Sequence, residues 1–158
     1  AIMRVSLVYG WQFRGQTSNS AMDALRGLSR GRRLRFPSTL FNTPIFVEDV
    51  ARSIVAAVAG RKTGTFHVAG PDRLSRFEFA VRTASAFGFA EALISPVELH
   101  AGIRPVNSCL HWRASADRLG TTPRAVEDGL AAMREELLNP RMAASATARL
   151  IEAEGRIL

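Results

Sequence analysis

The apolar and polar positions divide the chain into short strands and helices that alternate. The clearest block runs from Asn42 to Ala80. Ile45 to Val47 predicts a strand that feeds a helix, and Thr65 to Ala69 predicts a second strand. A loop with Gly70 and Pro71 then leads into another helix at Ser75. Val50, Ile54, Val55 and Val58 recur at three- and four-residue steps, which predicts an apolar face turned inward. Glu48 and Asp49 stand where the helix dipole favours negative charge. Gly60 supplies a residue able to take the positive φ that ends the helix, and Arg61 and Lys62 sit by its negative end. Ser75-Arg76-Phe77-Glu78 fits a capping box, in which the two side chains satisfy each other's backbone N–H. Phe77, Ala80, Val81, Ala84 and Phe87 continue an inward stripe.

The flanking segments extend the same pattern. Ile2 to Tyr9 reads as a parallel strand covered on both faces, closed by Gly10. The loop from Trp11 to Gln16 follows it at the strand's carboxyl end, where open α/β sheets hold ligands. Thr17 or Ser18 is expected to cap a helix that runs to about Gly31, with Met22, Leu25 and Leu28 inward. Arg33 to Phe36 is a short strand, and Leu93 to Leu99 another, interrupted by Pro96. A helical turn from Ala114 to Leu119 is closed by Gly120. Thr122 and Pro123 predict the start of a helix that runs to about Leu138 through Val126, Leu130, Met133 and Leu137. Residues 139–158 are alanine-rich and read as a weakly amphipathic helical extension.

Composition narrows the class. Of 158 residues, 47% are hydrophobic and 22% charged, which fits one globular domain or half of a larger one. No apolar run reaches the length of a membrane span, and a single cysteine, Cys109, fits a reducing cytoplasm. The net charge of +7 comes from arginines, densest at Arg26, Arg30, Arg32, Arg33 and Arg35. That excess alone allows a nucleic-acid binder, but no helix-turn-helix, zinc-finger or aromatic RNA-binding pattern accompanies it. The chain opens abruptly inside a strand, which leads us to expect a partial fold.

The residues do not assemble an active site by themselves. His67, His100 and His111 lack metal-ligand spacing, and no GxSxG elbow, P-loop or GxGxxG occurs. Glu48-Asp49, Glu127-Asp128 and Glu135-Glu136 are adjacent on helices, so the two carboxylates of each pair point apart. Cys109 reads as a small buried apolar residue, and His67 as a hydrogen-bonded core residue.

Several segments, in order, resemble one family. Arg4-Val5-Ser6-Leu7-Val8-Tyr9-Gly10 resembles its R-x-x-x-V-Y-G strand, and Thr43 to Ala51 its x-P-x-x-V-x-D-[LV]-A segment. Gly64 to Gly70 resembles G-x-[YF]-H-x-x-G, Ser75 to Ala80 resembles S-x-x-E-x-A, and Arg104 to Leu110 resembles R-P-x-x-S-x-L. Together they look like the C-terminal half of an extended short-chain dehydrogenase/reductase, of the dTDP-4-dehydrorhamnose reductase type, within the NAD-dependent epimerase/dehydratase superfamily. The resemblance implies an α/β fold: the C-terminal part of a Rossmann-like NAD(P)-binding fold with its small substrate-binding lobe. It divides the chain into residues 1–138, which carry this portion, and the extension 139–158.

The resemblance also implies site residues. Val5 and Ser6 would meet the nicotinamide end of NAD(P)H, and Leu7, Asn42 and Arg104 the nucleoside-diphosphate sugar. A guanidinium at Arg104 suits a diphosphate, whose oxygens match its donor fork. Asn42 stands where epimerase relatives often carry a phosphate-binding arginine, which argues against a typical epimerase. Thr43 and Asp49 read as structural. The family's G-x-x-G-x-x-G and its catalytic Tyr-x-x-x-Lys are missing: four residues after Tyr9 stands Phe13, and four before Lys62 stands Val58. This implies no catalytic residue here and no hydride transfer by the chain alone, with NAD(P)H held in the complete protein. The expected partners are a nucleoside-diphosphate sugar and either a missing N-terminal half or a homo-oligomer partner. A non-catalytic sugar-nucleotide-binding or regulatory module is the alternative, as is an epimerase/dehydratase fragment. A half-fold of this kind expects Ile2 to Tyr9 inside a sheet, and a free edge there counts against it.

Overall fold

The computed structural model describes residues 1–12, 17–99 and 105–138. Arg104 and the whole extension 139–158 lie outside the described residues. The elements are β1 (Ile2–Val5), β2 (Val8–Tyr9), α1 (Ser20–Ser29), β3 (Leu34–Pro37), β4 (Phe41–Asn42), β5 (Ile45–Phe46), α2 (Val47–Ala59), β6 (Thr65–Val68), β7 (Leu74–Ser75), α3 (Arg76–Ala86), β8 (Ile94–Val97), α4 (Arg113–Leu119) and α5 (Val126–Glu135). The result is a mixed α/β fold with mostly parallel strand pairs.

The first strand is split where a single one was expected. β1 runs parallel to β6, with Ile2 opposite Thr65 and Val5 opposite Val68. β2 runs parallel to β5, with Tyr9 opposite Phe46. The chain changes partner at Ser6 and Leu7, where Leu7 O accepts from the Ile45 N–H at 2.9 Å. β3 and β8 are parallel, and β4 and β7 antiparallel. Pro96 lies inside β8, opposite Phe36, rather than interrupting it. β8 has one strand partner among the described residues, so the missing N–H costs no ladder bond on a second side.

The main core gathers Tyr9, Trp11, Met22, Leu25, Phe46 and Phe79 with Val126, Leu130 and Met133 of α5. Met22, Leu25, Leu28, Val126, Leu130 and Met133 are fully buried, as their helical spacing predicts. The Ser75–Glu78 capping box forms as expected. α1, by contrast, is capped by Asn19, whose side chain accepts from the Met22 N–H, and not by Thr17 or Ser18. α5 begins at Val126 and not at Pro123, because its caps come from far away in sequence. Asp72 accepts from the Val126 N–H at 2.8 Å, and buried Asp49 accepts from the Arg124 N–H at 2.8 Å. Asp49 is thus structural, tying the start of α2 to the loop before α5.

Two expectations about α2 are overturned. Its buried residues are Asp49, Ser53 and Ala57, while Ile54, Val55 and Val58 are 45%, 67% and 73% exposed. The helix packs through small and polar side chains, and the large apolar flank faces outward. Gly60 has φ −82°, and the positive φ of 47° falls on Arg61. Lys62 N–H donates to Ala57 O and Arg61 N–H to Val58 O, the two bonds of a Schellman ending placed one residue later than Gly60 would place it.

β1 is likewise not buried on both faces: Ile2 is 60% exposed and Val5 43%. Nor is it inside a sheet, since among the described residues its only strand partner is β6. His67 is half-buried on β6, with its backbone N–H donating to Ser115 Oγ at 2.8 Å, and is not in the core.

Candidate functional site

Val5, the last residue of β1, and Ser6 and Leu7, which follow it, line a cleft of about 950 Å³. Asn42, at the end of β4, lines the same cleft, as do Ser18, Asn19 and Ser20 at the start of α1. Four of the five residues singled out from sequence are therefore brought together; the fifth, Arg104, lies outside the described residues. Its neighbour Pro105, and Asn107 to Leu110, form one wall.

Hydrogen bonds hold that wall in place. The Ser6 hydroxyl donates to Ser108 O at 3.1 Å and accepts from the Thr43 N–H at 3.2 Å. Thr43 Oγ1 accepts from the Leu110 N–H at 3.1 Å. Phe41 N–H donates to Val106 O at 2.8 Å, and Ser108 N–H to Phe41 O at 2.9 Å. Ser6 and Thr43 thus use their hydroxyls to fix backbone, and Thr43 is structural as expected. Only the backbone and exposed flank of the 5–7 segment are left to meet a ligand.

The polar character of the cleft comes from residues the sequence did not single out. Arg76, the first residue of α3, donates through Nε to Asn42 Oδ1 at 2.8 Å and through its terminal nitrogen to Ser20 Oγ. The guanidinium is thereby fixed beside the N-terminus of α1, whose dipole adds positive potential. Asn19 caps that helix and donates from Nδ2 to Gly10 O at 2.9 Å, joining it to the end of β2. Arg4 adds a second positive charge, and Asp23, which accepts from Ser18, one negative charge. In the sequence Arg76 carried no signal beyond its place inside a capping box. Its role appears only when β4 brings Asn42 next to α3.

Cys109 also lines the cleft. Burial pushes its thiol pKa up, against the pull of the nearby Arg73 guanidinium, which disfavours the thiolate. Tyr9 is 1% exposed, and its hydroxyl donates to Val126 O at 3.4 Å. Burial raises its pKa further, ahead of the charges of Asp49 and Asp72. Tyr9 is a core residue and not a proton donor to a ligand. Among the described residues no group of side chains could hold a metal ion, and no helix is long and apolar enough to cross a membrane. A second concavity, about 660 Å³ between α3 and α5, is mainly apolar and shares no residue with the cleft.

Comparison with known proteins gives a consistent family. The fold is similar to a dTDP-4-dehydrorhamnose reductase from Bacillus anthracis solved in complex with NADP, at TM-score 0.72 and 24% identity over 85% of this chain and 47% of that one. It is similar to a hypothetical dTDP-4-dehydrorhamnose reductase from Sulfolobus tokodaii, at TM-score 0.65 and 26% identity over 81% of this chain and 45% of that one. A UDP-glucuronic acid 4-epimerase from Bacillus cereus, solved with UDP-glucuronic acid and NAD, matches at TM-score 0.66 and 19% identity over 84% and 43%. The chain spans less than half the length of these proteins. A search of curated proteins finds no match. The family model described as the RmlD substrate binding domain matches residues 1–139, and the chain belongs to that family.

Proposed function

We propose that this chain supplies the substrate-binding half of an NAD(P)-dependent, dTDP-4-dehydrorhamnose reductase-like protein, and that its cleft takes a nucleoside-diphosphate sugar. The observation that carries this reading is the cleft itself, whose lining includes Val5, Ser6, Leu7 and Asn42 together with Arg76, which donates to Asn42. A diphosphate is favoured by positive potential, and a guanidinium held by Asn42 and Ser20 beside the N-terminus of α1 supplies it. Leu7 and the aliphatic flank of Val5 offer apolar surface to a sugar or base. Arg104, one residue before the cleft wall begins at Pro105, is assigned to the same diphosphate on the strength of the resemblance.

The dinucleotide fits this chain poorly. The sequence has no glycine-rich turn to admit a pyrophosphate, and no Tyr-x-x-x-Lys. Val5 and Ser6 would border the nicotinamide end only once another part of the fold holds the cofactor. No step through the cofactor follows from these residues. The only tyrosine is locked in the core, and this favours a second reading, a non-catalytic sugar-nucleotide-binding module, for the chain acting alone.

Calorimetric titration of the chain with dTDP- and UDP-sugars tests the reading. Saturable binding, weakened about tenfold or more in Arg76→Ala, is expected from the loss of a charged hydrogen-bond donor. Binding that is unchanged in that variant, or absent, would count against the cleft.

A further inference from the structure

We propose that the groove between α3 and α5 is the docking site of the chain's own segment 139–158, which lies outside the described residues. This goes beyond the sugar-nucleotide reading and does not depend on what the cleft binds.

The groove encloses about 660 Å³. Val81 and Ala86 of α3, Leu130 and Ala131 of α5, and Leu137 give it an apolar lining. Charged residues accompany that lining: Arg82 and Glu127 form an ion pair between the two helices, and Glu91, Arg134 and Glu135 border the same space. An apolar concavity rimmed by polar groups marks a place where a further element packs. Ser85 and Ala131, one on each helix, are small and exposed. Small residues on both walls admit a third helix at the ordinary interaxial spacing of about 8–10 Å.

The segment has a sequence pattern that suits such a groove. Asn139-Pro140 is a capping residue followed by proline, the pair that opens a helix. Met142, Ala146, Leu150 and Ala153 then recur at four-, four- and three-residue steps, which is one face of a helix. Met142 and Leu150 supply bulk, while Ala146 and Ala153 permit close approach. The stripe is narrow, as a shallow groove requires and a core position does not. Arg141 and Arg149 flank it and are opposite in charge to Glu91 and Glu135 of the groove. A helix over residues 141–154 would be about 21 Å long, against about 15 Å for α5, so it is long enough to cover the groove.

Position favours this occupant over a second copy of the chain. Leu137 lines the groove, and the segment follows it at Asn139, so a single reversal of direction lays it back along α3 and α5. Tethering at so short a distance gives a local concentration in about the millimolar range without any assembly step. Two copies meeting through this groove would bring Arg82 and Arg134 of each together, in a chain of net charge +7. The family model stops at residue 139. The segment is thus an addition to the domain that defines the family, attached at the edge of this groove.

Photo-crosslinking of the full chain tests the docking. A diazirine amino acid is placed at Leu150, or at Glu152 as a control on the opposite side of the same helical turn pattern, in a mixture of isotope-labelled and unlabelled chains. The expected result is a link from Leu150, mapped by mass spectrometry to residues 81–86 or 130–137 of the same chain, with little from Glu152. Ala131→Glu and Ser85→Glu put a charge into the groove at exposed positions, and each should reduce the link about fivefold or more while circular dichroism shows the fold retained. Links that join labelled to unlabelled chains, links to another part of the chain or to another protein, equal links from Glu152, a yield unchanged in both groove variants, or no link at all would overturn the proposal. Titration of the same two variants with a nucleoside-diphosphate sugar separates the two readings. Binding retained as the link is lost supports a docking site independent of the cleft, and sugar-nucleotide binding absent from the parent chain counts against the cleft alone.

Discussion

The Ser6 hydroxyl donates to the carbonyl of Ser108 across 102 residues of sequence. The same oxygen accepts from Thr43, so one side chain joins the first strand, the β4–β5 turn and the far wall of the cleft. Ser6→Ala leaves the Thr43 N–H without its partner. A loss of about 1–2 kcal/mol in denaturant unfolding is expected, with weaker binding of a nucleoside-diphosphate sugar. A change below about 0.5 kcal/mol, with binding intact, would show that the wall is held by other bonds.

Arg61 occupies the left-handed position that ends α2, next to a glycine that does not use its freedom. A side chain there costs about 1–2 kcal/mol relative to glycine, part of which is offset by glycine's greater unfolded-state entropy. Arg61→Gly is therefore expected to raise stability by about 0.5–1 kcal/mol, read as a shift in thermal midpoint. A lower midpoint would mean that the cation at the helix end outweighs the backbone strain.

Gly70 allows the chain after β6 to pass against the turn before β5. A Cβ there would stand 1.9 Å from the Pro44 carbonyl oxygen and 3.0 Å from its carbon. Both atoms are backbone, so no rotamer change relieves the overlap. Gly70→Ala should cost about 3 kcal/mol or more, or prevent folding. Circular dichroism melts comparable to the parent chain would contradict the close approach.

Glu136 follows α5, and burial raises its pKa to about 7, with Glu48 adding repulsion and a shared hydrogen bond and Arg124 opposing. A folded-state pKa above the ordinary 4.5 means that the folded chain binds this proton more tightly than the unfolded one. The stabilisation is therefore present below about pH 4.5 and is lost as pH rises through about 7. Glu78 acts the other way: its bonds to Ser75 lower its pKa, and its contribution is lost as acid protonates it. Urea midpoints measured between pH 5 and 8 should fall with rising pH, and Glu136→Gln should flatten the slope. A slope unchanged in that variant would assign the pH dependence elsewhere.

Much of the fold was legible wherever a local rule carried the information. The Ser75–Glu78 box and the Met22-Leu25-Leu28 and Val126-Leu130-Met133 stripes needed only helical spacing. The start of α5 was not legible, because its caps, Asp49 and Asp72, are remote in sequence. The inward face of α2 was misread because periodicity identifies an apolar stripe and not what covers it. Ile54, Val55 and Val58 are such a stripe, and within this chain nothing described buries them.

The same reason governs β1. A free edge there is set against a half-fold, and β1 has β6 as its only strand partner among the described residues, so on that criterion the half-fold expectation is not met. Hydrophobic patterning over Ile2 to Tyr9 shows that the segment is a strand, but it does not count the strands beside it. At the site, Val5, Ser6, Leu7 and Asn42 were reached through resemblance, while Arg76 needed the fold to bring it to Asn42.

Amide chemical shifts recorded while a dTDP-sugar is titrated into the chain, followed by NADPH and a keto-sugar nucleotide with absorbance monitored, test the central claim most directly. Saturable shifts confined to Val5, Ser6, Leu7, Asn42, Arg76 and the 105–110 wall, with no oxidation of NADPH, are predicted. Shifts elsewhere on the surface, no shifts, or ketone reduction by this polypeptide alone would contradict it.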